Sequence, residues 1–213
     1  MNRIPAGPNV VQGIDLYHGN SVIDLGKIAQ NNIGFVFLKA FEKQPDSMFQ
    51  LRWKAAKELV SLIRGAYAFF HPNIDPIQQA QAFIQAVGPL SQDDLPCVLD
   101  WEVTDNVPQQ IDLLRGLAWL QTVELATKKI PIIYGSPYFL QALNLDFRFA
   151  RYGLWIAGYE VSAPLVPPPW NNWHFWQNSE AGTVPGVSGR CDTNLFNGTM
   201  DQLKQFISDS TLK

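Results

Sequence analysis

Eight short apolar segments recur along the chain, and most are continuous hydrophobic runs rather than strict alternations. Continuous runs of this length are typical of strands that are covered on both faces, as in parallel sheets. The segments are residues 10–17, 33–41, 64–70, 96–103, 130–136, 152–159, 173–179 and 189–196. The pattern therefore predicts eight buried strands.

Helical periodicity separates several of the early strands. Residues 46–63 begin with an Asp/Ser cap and carry apolar residues three and four positions apart: Phe49, Trp53, Ala56 and Val60. Residues 75–87 and 108–129 have similar spacing, and the second begins with proline and ends with lysines. Each of the three segments is predicted to form a helix.

The later connections lack this periodicity. Residues 160–172 are proline-rich and residues 180–188 form a short Gly/Pro loop, so neither is expected to be helical. Alternating strands and helices predict an α/β fold, here a TIM-type barrel that loses helices in its C-terminal half. A last helix near 199–207 closes it. We expect one domain over residues 1–213, with a core of about 11–207, because no repeat or linker interrupts the pattern.

Composition narrows the functional classes. The net charge is -3, the pI is about 5.6 and there is no run of Lys or Arg, so a nucleic-acid partner is not expected.

No signal peptide or membrane-length segment is present, which predicts a soluble chain, expected to be a monomer, made without Sec export. Cys97 and Cys191 form no disulfide framework and, with three scattered histidines, no metal-ligand spacing. We expect two free thiols between sheet and helices, and neither metal nor cofactor.

The segment CVLDWEV (97–103) places two acids inside an apolar run. In a barrel of parallel strands, functional groups lie at the C-terminal strand ends. Because strand side chains alternate, Asp100 and Glu102 should both face the lumen, with Val98 beneath them. Two acids in one poorly hydrated site cannot both ionise cheaply, so one retains a proton, as a general acid requires. The alternative is a turn whose two acids are solvated.

Two further acids lie in the first and last predicted strands. Asp15 ends the segment GIDLY and Asp192 lies in GRCDTNLF. The first and last strands are neighbours in a closed barrel, so both side chains can reach the same mouth. Either acid taken alone is equally consistent with a helix or turn cap. The four acids together favour a catalytic site.

Other polar and aromatic residues near strand ends are weaker candidates. Lys39 and Glu42 follow the second strand and are expected to form a surface ion pair. Five residues are predicted to line a sugar-binding groove, although each alone is equally consistent with a core position: Tyr67, Tyr134, Trp155, Trp176 and Gln177.

The order of these motifs resembles that of the glycoside hydrolase family 25 lysozymes, the Chalaropsis-type muramidases. The similarity extends from about Val11 to Phe206 and rests on segments in register: GIDLYHG, FVFLKAFE, GAYAFF, LPCVLDWE, IPIIYGSP, LWIAGY, HFWQNS and VSGRCDTNLFNGT. It implies a (β/α)5(β)3 barrel. It also implies cleavage of the β-1,4 bond between N-acetylmuramic acid and N-acetylglucosamine in peptidoglycan, the expected partner.

The resemblance also implies roles for particular residues. The family's Asp-x-Glu pair falls on Asp100 and Glu102, with Glu102 in the position of the usual acid. The early Asp falls on Asp15 and the late Asp-x-Asn on Asp192 and Asn194. Groove positions match Tyr67, Tyr134, Trp155 and Gln177.

The chain departs from the family pattern around these acids. Tyr17 replaces a small residue, KATEG has become KAFEK with Phe41 and Lys43, YHF has lost its histidine, and WQY has become WQN. All four acids are retained. The departures fall where sugar and peptide contacts are expected, so they concern fine specificity.

Alternative functions and mechanisms remain open at this point. LDWE is also similar to the end of the chitinase family 18 signature, although Val98 stands where that signature has an Asp. A non-catalytic sugar-binding barrel is a third possibility, which the presence of Glu102 disfavours. For a muramidase, Asp100 assists the substrate's acetamido group or stabilises charge, or else Asp15 or Asp192 activates water in an inverting route.

The biological setting has two alternatives. The expected setting is lysis of the bacterial wall from the periplasm by a phage or prophage endolysin that depends on a holin. An effector delivered by a specialised secretion system fits as well.

Overall fold

The computed structural model describes residues 1–22 and 24–212, and eight of its strands close into a barrel. Their bounds are β1 Val11–Leu16, β2 Ile33–Glu42, β3 Ile63–Phe69, β4 Val98–Asp100, β5 Ile132–Gly135, β6 Gly153–Ala157, β7 Phe175–Gly182 and β8 Cys191–Phe196. Each strand pairs with the next, and β8 pairs with β1. All eight predicted strands are confirmed.

Five helices connect the first six strands, and a sixth follows β8. They are α1 Leu25–Ala29, α2 Phe49–Lys57, α3 Pro76–Val87, α4 Gln109–Thr127, α5 Pro137–Leu143 and α6 Met200–Ser210. A 3-10 turn covers Phe147–Phe149. Within the described residues no helix joins β6 to β7 or β7 to β8, so the α/β (β/α)5(β)3 barrel is confirmed.

Three pairings of two-residue strands tie loops to the barrel. Asn2–Arg3 pairs with Leu165–Val166, and Ser21–Val22 pairs with Val187–Ser188. Gln44–Pro45 folds back onto the end of β2. The first pairing joins the N-terminus to the proline-rich loop after β6.

The predicted helix over 46–63 is too long at both ends. Helix α2 begins at Phe49 without a side-chain cap and ends at Lys57, while Val60 is fully exposed. The carboxylate of Asp46 instead accepts hydrogen bonds from the His18 and Met48 amides, so it joins two loops. Helices α1 and α5 were not predicted from periodicity, because five and seven residues contain too few turns to establish one.

Aromatic side chains fill the lumen below the mouth. Phe35 and Phe37 of β2 point inward, and the glycines opposite them make the room. A Cβ atom on Gly13 would lie 2.3 Å from the Phe35 ring, and one on Gly65 would lie 2.6 Å from Phe37. Trp155 stacks on Phe37 with ring centroids 4.4 Å apart. The lumen is therefore a packed core, and only its upper end is available to substrate.

The last strand runs antiparallel to both of its neighbours, which corrects the expectation of a parallel barrel. A parallel return needs a crossover of about a dozen residues or more, and the loop from β7 to β8 is shorter. The strand therefore starts at the mouth. Asp192, its second residue, lies directly opposite Asp15 of β1 in the register.

Trp101 follows β4 and points away from the lumen, into the layer between sheet and helices. It is fully buried, and its indole Nε1 donates to Asp112 Oδ1 of α4 over 3.1 Å. A Cβ atom on Gly116 would lie 2.2 Å from the Trp101 ring, so the helix approaches closely there. This packing fixes the backbone between the two acids that flank Trp101.

The two cysteines lie in the interior of the protein. Cys97 and Cys191 are free and buried in the sheet–helix layer, as predicted.

Among residues 1–22 and 24–212, no helix combines the length and apolar character needed to cross a bilayer.

We predict that Gly116→Ala destabilises the protein although alanine favours helices. The added methyl meets an indole that is packed on all sides, and such overpacking costs about 1–3 kcal/mol. Gln121→Ala, at an exposed position of the same helix, should change the free energy of unfolding by about 0.5 kcal/mol or less. Urea unfolding of both variants measures the difference. Equal stabilities would contradict the close approach of α4 to Trp101.

Candidate active site

A small cavity of about 90 Å³ lies at the mouth of the barrel. It brings together all four acids predicted from the sequence and four of the predicted groove residues. The lining residues are Asp15, Tyr67, Asp100, Glu102, Tyr134, Trp155, Gln177 and Asp192. They come from strands β1 and β3 to β8 and from the residues directly after β4, so the site exists only in the closed barrel.

Asp100 and Glu102 share the β4 side of this cavity but differ in exposure. Asp100 is 5% exposed and is the last residue of β4, above Val98 in the lumen, whereas Glu102 is exposed. Within the described residues, Asp100 Oδ1 is buried without a hydrogen-bond partner. Burial, and then the charge of Glu102, raise the pKa of Asp100 well above its ordinary value, and Lys39 only partly opposes them. The pair therefore retains a proton.

Asp15 and Asp192 form a second acidic pair across the cavity. Asp15 is buried, and its Oδ2 accepts from Gln177 Nε2 at 2.9 Å and from Asn194 Nδ2 at 2.8 Å. Burial, and then the charge of Asp192, raise the pKa of Asp15 to about 8. Burial also raises the pKa of the more accessible Asp192. One proton is thus held on this side too.

Gln177 connects the acids to the tyrosines. Its Oε1 accepts from Tyr134 Oη at 2.6 Å and from Tyr159 Oη at 2.5 Å, while its Nε2 donates to Asp15. These bonds fix the orientation of the amide and present its N–H groups to the carboxylates. Tyr159 was not predicted from the sequence. Its only signal is that it lies two residues beyond Ala157, in phase with the inward positions of β6.

Trp155 and Asn194 lie beneath the acids. Trp155 Nε1 donates to Asn194 Oδ1 at 2.8 Å, and both residues are about 1% exposed. Asn194 lies outside the cavity lining, because its amide is used to hold Asp15 from below. It is placed to support an acid rather than to face the groove.

The structure contradicts the prediction that Trp176 lines the groove. Its side chain packs in the outer layer against Trp173, and its Nε1 donates to the Gly158 carbonyl at 2.7 Å. The reason is strand alternation: Gln177 points inward, so its neighbour Trp176 must point outward.

A chain of ionic contacts crosses the rim from β2 to the loop after β4. The predicted Lys39–Glu42 pair is present, and Glu42 also contacts His71 Nε2 at 3.3 Å. His71 Nδ1 in turn contacts Asp105 Oδ2 at 2.8 Å. Partial burial is the largest single influence and raises the pKa of Glu42, but the hydrogen bonds and charges of Lys39 and His71 together outweigh it, so the pKa is lowered. His71 and Asp105 were missed, since they are 34 positions apart in the chain.

We predict that Asp15 makes the protein less stable as the pH rises. Its folded-state pKa of about 8 exceeds its ordinary value of 3.8, so the stability it contributes is lost between about pH 4 and pH 8. Asp15→Asn should reduce the fall in unfolding free energy between pH 5 and pH 8 by on the order of 2 kcal/mol. Urea titrations at both pH values measure it.

Asp93→Asn, at an exposed acid that precedes β4, provides the control for this prediction and should keep the wild-type pH dependence. An unchanged slope in Asp15→Asn would contradict a buried, protonated Asp15.

Comparison with known proteins places this site in a family. The model for "Glycosyl hydrolases family 25" matches residues 14–187. The Escherichia coli K12 protein YegX is 36% identical over 212 residues, which cover 96% of this chain and 76% of YegX. Lysozyme M1 of Streptomyces globisporus is 31% identical, with 93% of this chain and 72% of that protein covered.

A solved structure of a bacterial lysozyme is also similar to this chain. The bacterial lysozyme of Streptomyces coelicolor superposes with a TM-score of 0.90 at 28% identity, covering 96% of this chain and 100% of that one. The resemblance inferred from the sequence motifs is thereby confirmed. This chain belongs to glycosyl hydrolases family 25 and is a glycoside hydrolase.

Proposed function

We propose that this glycoside hydrolase is a muramidase that cleaves the β-1,4 bond between N-acetylmuramic acid and N-acetylglucosamine in peptidoglycan. One observation carries the proposal: two pairs of acids face each other across a mouth with an aromatic floor. The similarity to Lysozyme M1 of Streptomyces globisporus supports the same substrate.

Glu102 is the proposed general acid. It lies beyond the end of β4, where its carboxyl is exposed and can reach a glycosidic oxygen over the cavity. The anchored indole of Trp101 holds its backbone. In the forward step the Glu102 proton passes to the glycosidic oxygen as the bond to the anomeric carbon breaks.

Asp100 is the proposed partner of Glu102 in a substrate-assisted reaction. The pair retains one proton in the free enzyme, because the burial of Asp100 and the nearby charge of Glu102 disfavour full ionisation. Because the raised pKa of Asp100 keeps the proton of the free enzyme on Asp100, the reaction requires its transfer to Glu102, which leaves Asp100 as the anion. It then orients the acetamido group of the muramic acid residue, whose carbonyl oxygen attacks the anomeric carbon, and it stabilises the positive charge that develops. Water later opens the cyclic intermediate and returns a proton to Glu102.

Asp15 and Asp192 are assigned to the opposite wall of the site. Asp15 Oδ2 already accepts from two side-chain amides, and the pKa of Asp15, raised by burial to about 8, leaves it mostly protonated near neutral pH. A protonated, enclosed carboxyl is a poor base for activating water, so this pair suits hydrogen bonding to the sugar. An inverting route through Asp15 is therefore the less favoured mechanism.

The other lining residues form the proposed sugar contacts. Tyr67 and Tyr134 lie on either side of Trp155, whose ring forms the floor between them. Gln177 orients the acids above this floor, because its amide donates to Asp15 and Asp192. Val98 remains in the apolar lumen, where a chitinase-type signature would place a third acid. The apolar side chain there favours peptidoglycan over chitin as the substrate.

The proposed setting is the bacterial cell wall, reached after release by a holin or a secretion system. Autolytic lysozyme of Clostridium acetobutylicum, 30% identical over 189 residues, supports a wall-lytic role. The barrel is proposed to be the whole catalytic unit and to act as a monomer. An adjacent holin gene would favour an endolysin, and an adjacent immunity gene an effector.

We predict that Glu102→Gln abolishes most activity while the fold is retained. Loss of a general acid costs about 100- to 10,000-fold in turnover, and glutamine is isosteric at this exposed position. Clearing of a purified peptidoglycan suspension measures the effect, with Asp93→Asn as the matched carboxyl-to-amide control. Near-normal clearing by Glu102→Gln would remove Glu102 from the acid role.

We predict that the enzyme releases peptidoglycan fragments with N-acetylmuramic acid at the new reducing end and leaves chitin oligomers intact. Substrate assistance retains configuration, so the first product should be the β anomer. Mass spectrometry and early-time NMR measure these properties. An initial α anomer would transfer the water-activating role to Asp15 or Asp192, and preferential digestion of chitin would replace the proposed substrate.

A further inference from the structure

A second, larger cavity of about 480 Å³ adjoins the catalytic mouth on its β2 side. Its lining combines the loop after β1 with the hairpin at the end of β2: His18, Lys39, Glu42, Lys43, Gln44, Pro45, Asp46 and Ser47. Lys39 links the two sites, because it is paired in register with Tyr67 of the mouth and its charge acts on Asp100. Lys39 therefore stands between the acids and this cavity.

The wall formed by His18 is held in place by Asp46. The Asp46 carboxylate accepts from the His18 amide at 2.9 Å and contacts His18 Nδ1 at 2.7 Å. It also accepts from the Met48 amide at 2.9 Å, and its side chain is only 2% exposed. Next to it the Tyr17 ring meets His18 edge-on, with centroids 5.2 Å apart. The cavity is thus preformed, and its Asp46 charge is already satisfied.

The opposite wall is a tight hairpin with a lysine at its turn. Glu42 pairs with Gln44 around Lys43, whose φ of +56° is in the left-handed region that favours glycine. A lysine there strains the backbone relative to glycine. It places an exposed ammonium group at the edge of the cavity.

The two lysines and two carboxylates of this cavity balance in number, but the two lysines differ in their partners. Lys39 is paired with Glu42, and His18 is paired with Asp46. Among the described residues Lys43 has no carboxylate within 4.0 Å of its ammonium group. A single unpaired cation beside amide and hydroxyl side chains suits a peptide that carries a carboxylate, whereas sugar rings are recognised through aromatic faces and neutral hydrogen bonds.

We propose that this cavity binds the peptide stem of the muramic acid residue and that Lys43 pairs with a free carboxylate of that stem. The inference rests on the proposed muramidase function, since the stem is attached to the sugar that would lie at the acids. Gln44 and Ser47 then offer hydrogen bonds to the peptide groups. A cavity of 480 Å³ is in the range that accommodates a ligand of a few residues.

The test compares three substrates of the same glycan: peptidoglycan with free stem carboxylates, the same material with those carboxylates amidated, and glycan stripped of its stems. Wild type should show the lowest KM on the first. Lys43→Glu should raise that KM about tenfold, the effect of losing one modest ion pair, and leave KM on stripped glycan unchanged.

Two further variants distinguish the effect of the Lys43 charge on binding from an effect on folding. Lys43→Gly relieves the left-handed turn, so it should keep or increase stability and still lose the preference for free carboxylates. Lys54→Glu makes the same charge change at an exposed position of α2 and should behave as wild type. Calorimetric titration of a free stem peptide into wild type and Lys43→Glu measures the cavity without catalysis.

The outcomes separate this inference from the proposed function. Equal KM values for the free and amidated stems, or an equal loss on stripped glycan in Lys43→Glu, would overturn the assignment of the cavity. Failure of wild type to cleave any of the three glycans would overturn the muramidase proposal instead. In that case stem-peptide binding that Lys43→Glu abolishes would still support the cavity, and absence of binding would end it.

Discussion

The aromatic packing of the barrel lumen is the interaction on which the site depends. Phe35, Phe37 and Trp155 fill the space below the mouth, and Gly13 and Gly65 allow their rings to fit. A lumen filled in this way excludes water from beneath the acids. Burial is accordingly the first cause of the raised pKa values of Asp15 and Asp100. Without that floor, water would reach the carboxyl groups of both acidic pairs. The pairs would then no longer hold their protons.

Above this floor, hydrogen bonds from several strands converge on Asp15. Gln177 of β7 and Asn194 of β8 both donate to it, and Gln177 is itself oriented by the Tyr134 and Tyr159 hydroxyls. The contacts span the seam where β8 closes the barrel against β1. Closure of the sheet and assembly of the acidic wall are therefore the same structural event.

On the β4 side, packing outside the lumen positions the two acids. Trp101 is anchored by Asp112 and by the close approach of Gly116, so the two acids on either side of it are directed to the mouth. Beyond the rim, the hairpin at Lys43 extends the mouth into a cavity with a different chemistry. The acids proposed to be catalytic belong to the barrel, while the groups proposed to select the substrate lie on loops joined to it by Asp46 and Glu42.

The sequence by itself determined the eight strands, the loss of late helices and the inward phase of Asp100 and Glu102, because each follows from local periodicity and alternation. It also indicated the four acids, and the family resemblance assigned each of them to a position in the family's motifs. Only the tertiary structure decided the direction of β8, the outward face of Trp176, the part played by Tyr159, and the His71–Asp105 link. These features depend on contacts between residues far apart in the chain. Local patterns carry no information about such contacts, whereas closure of the barrel creates them.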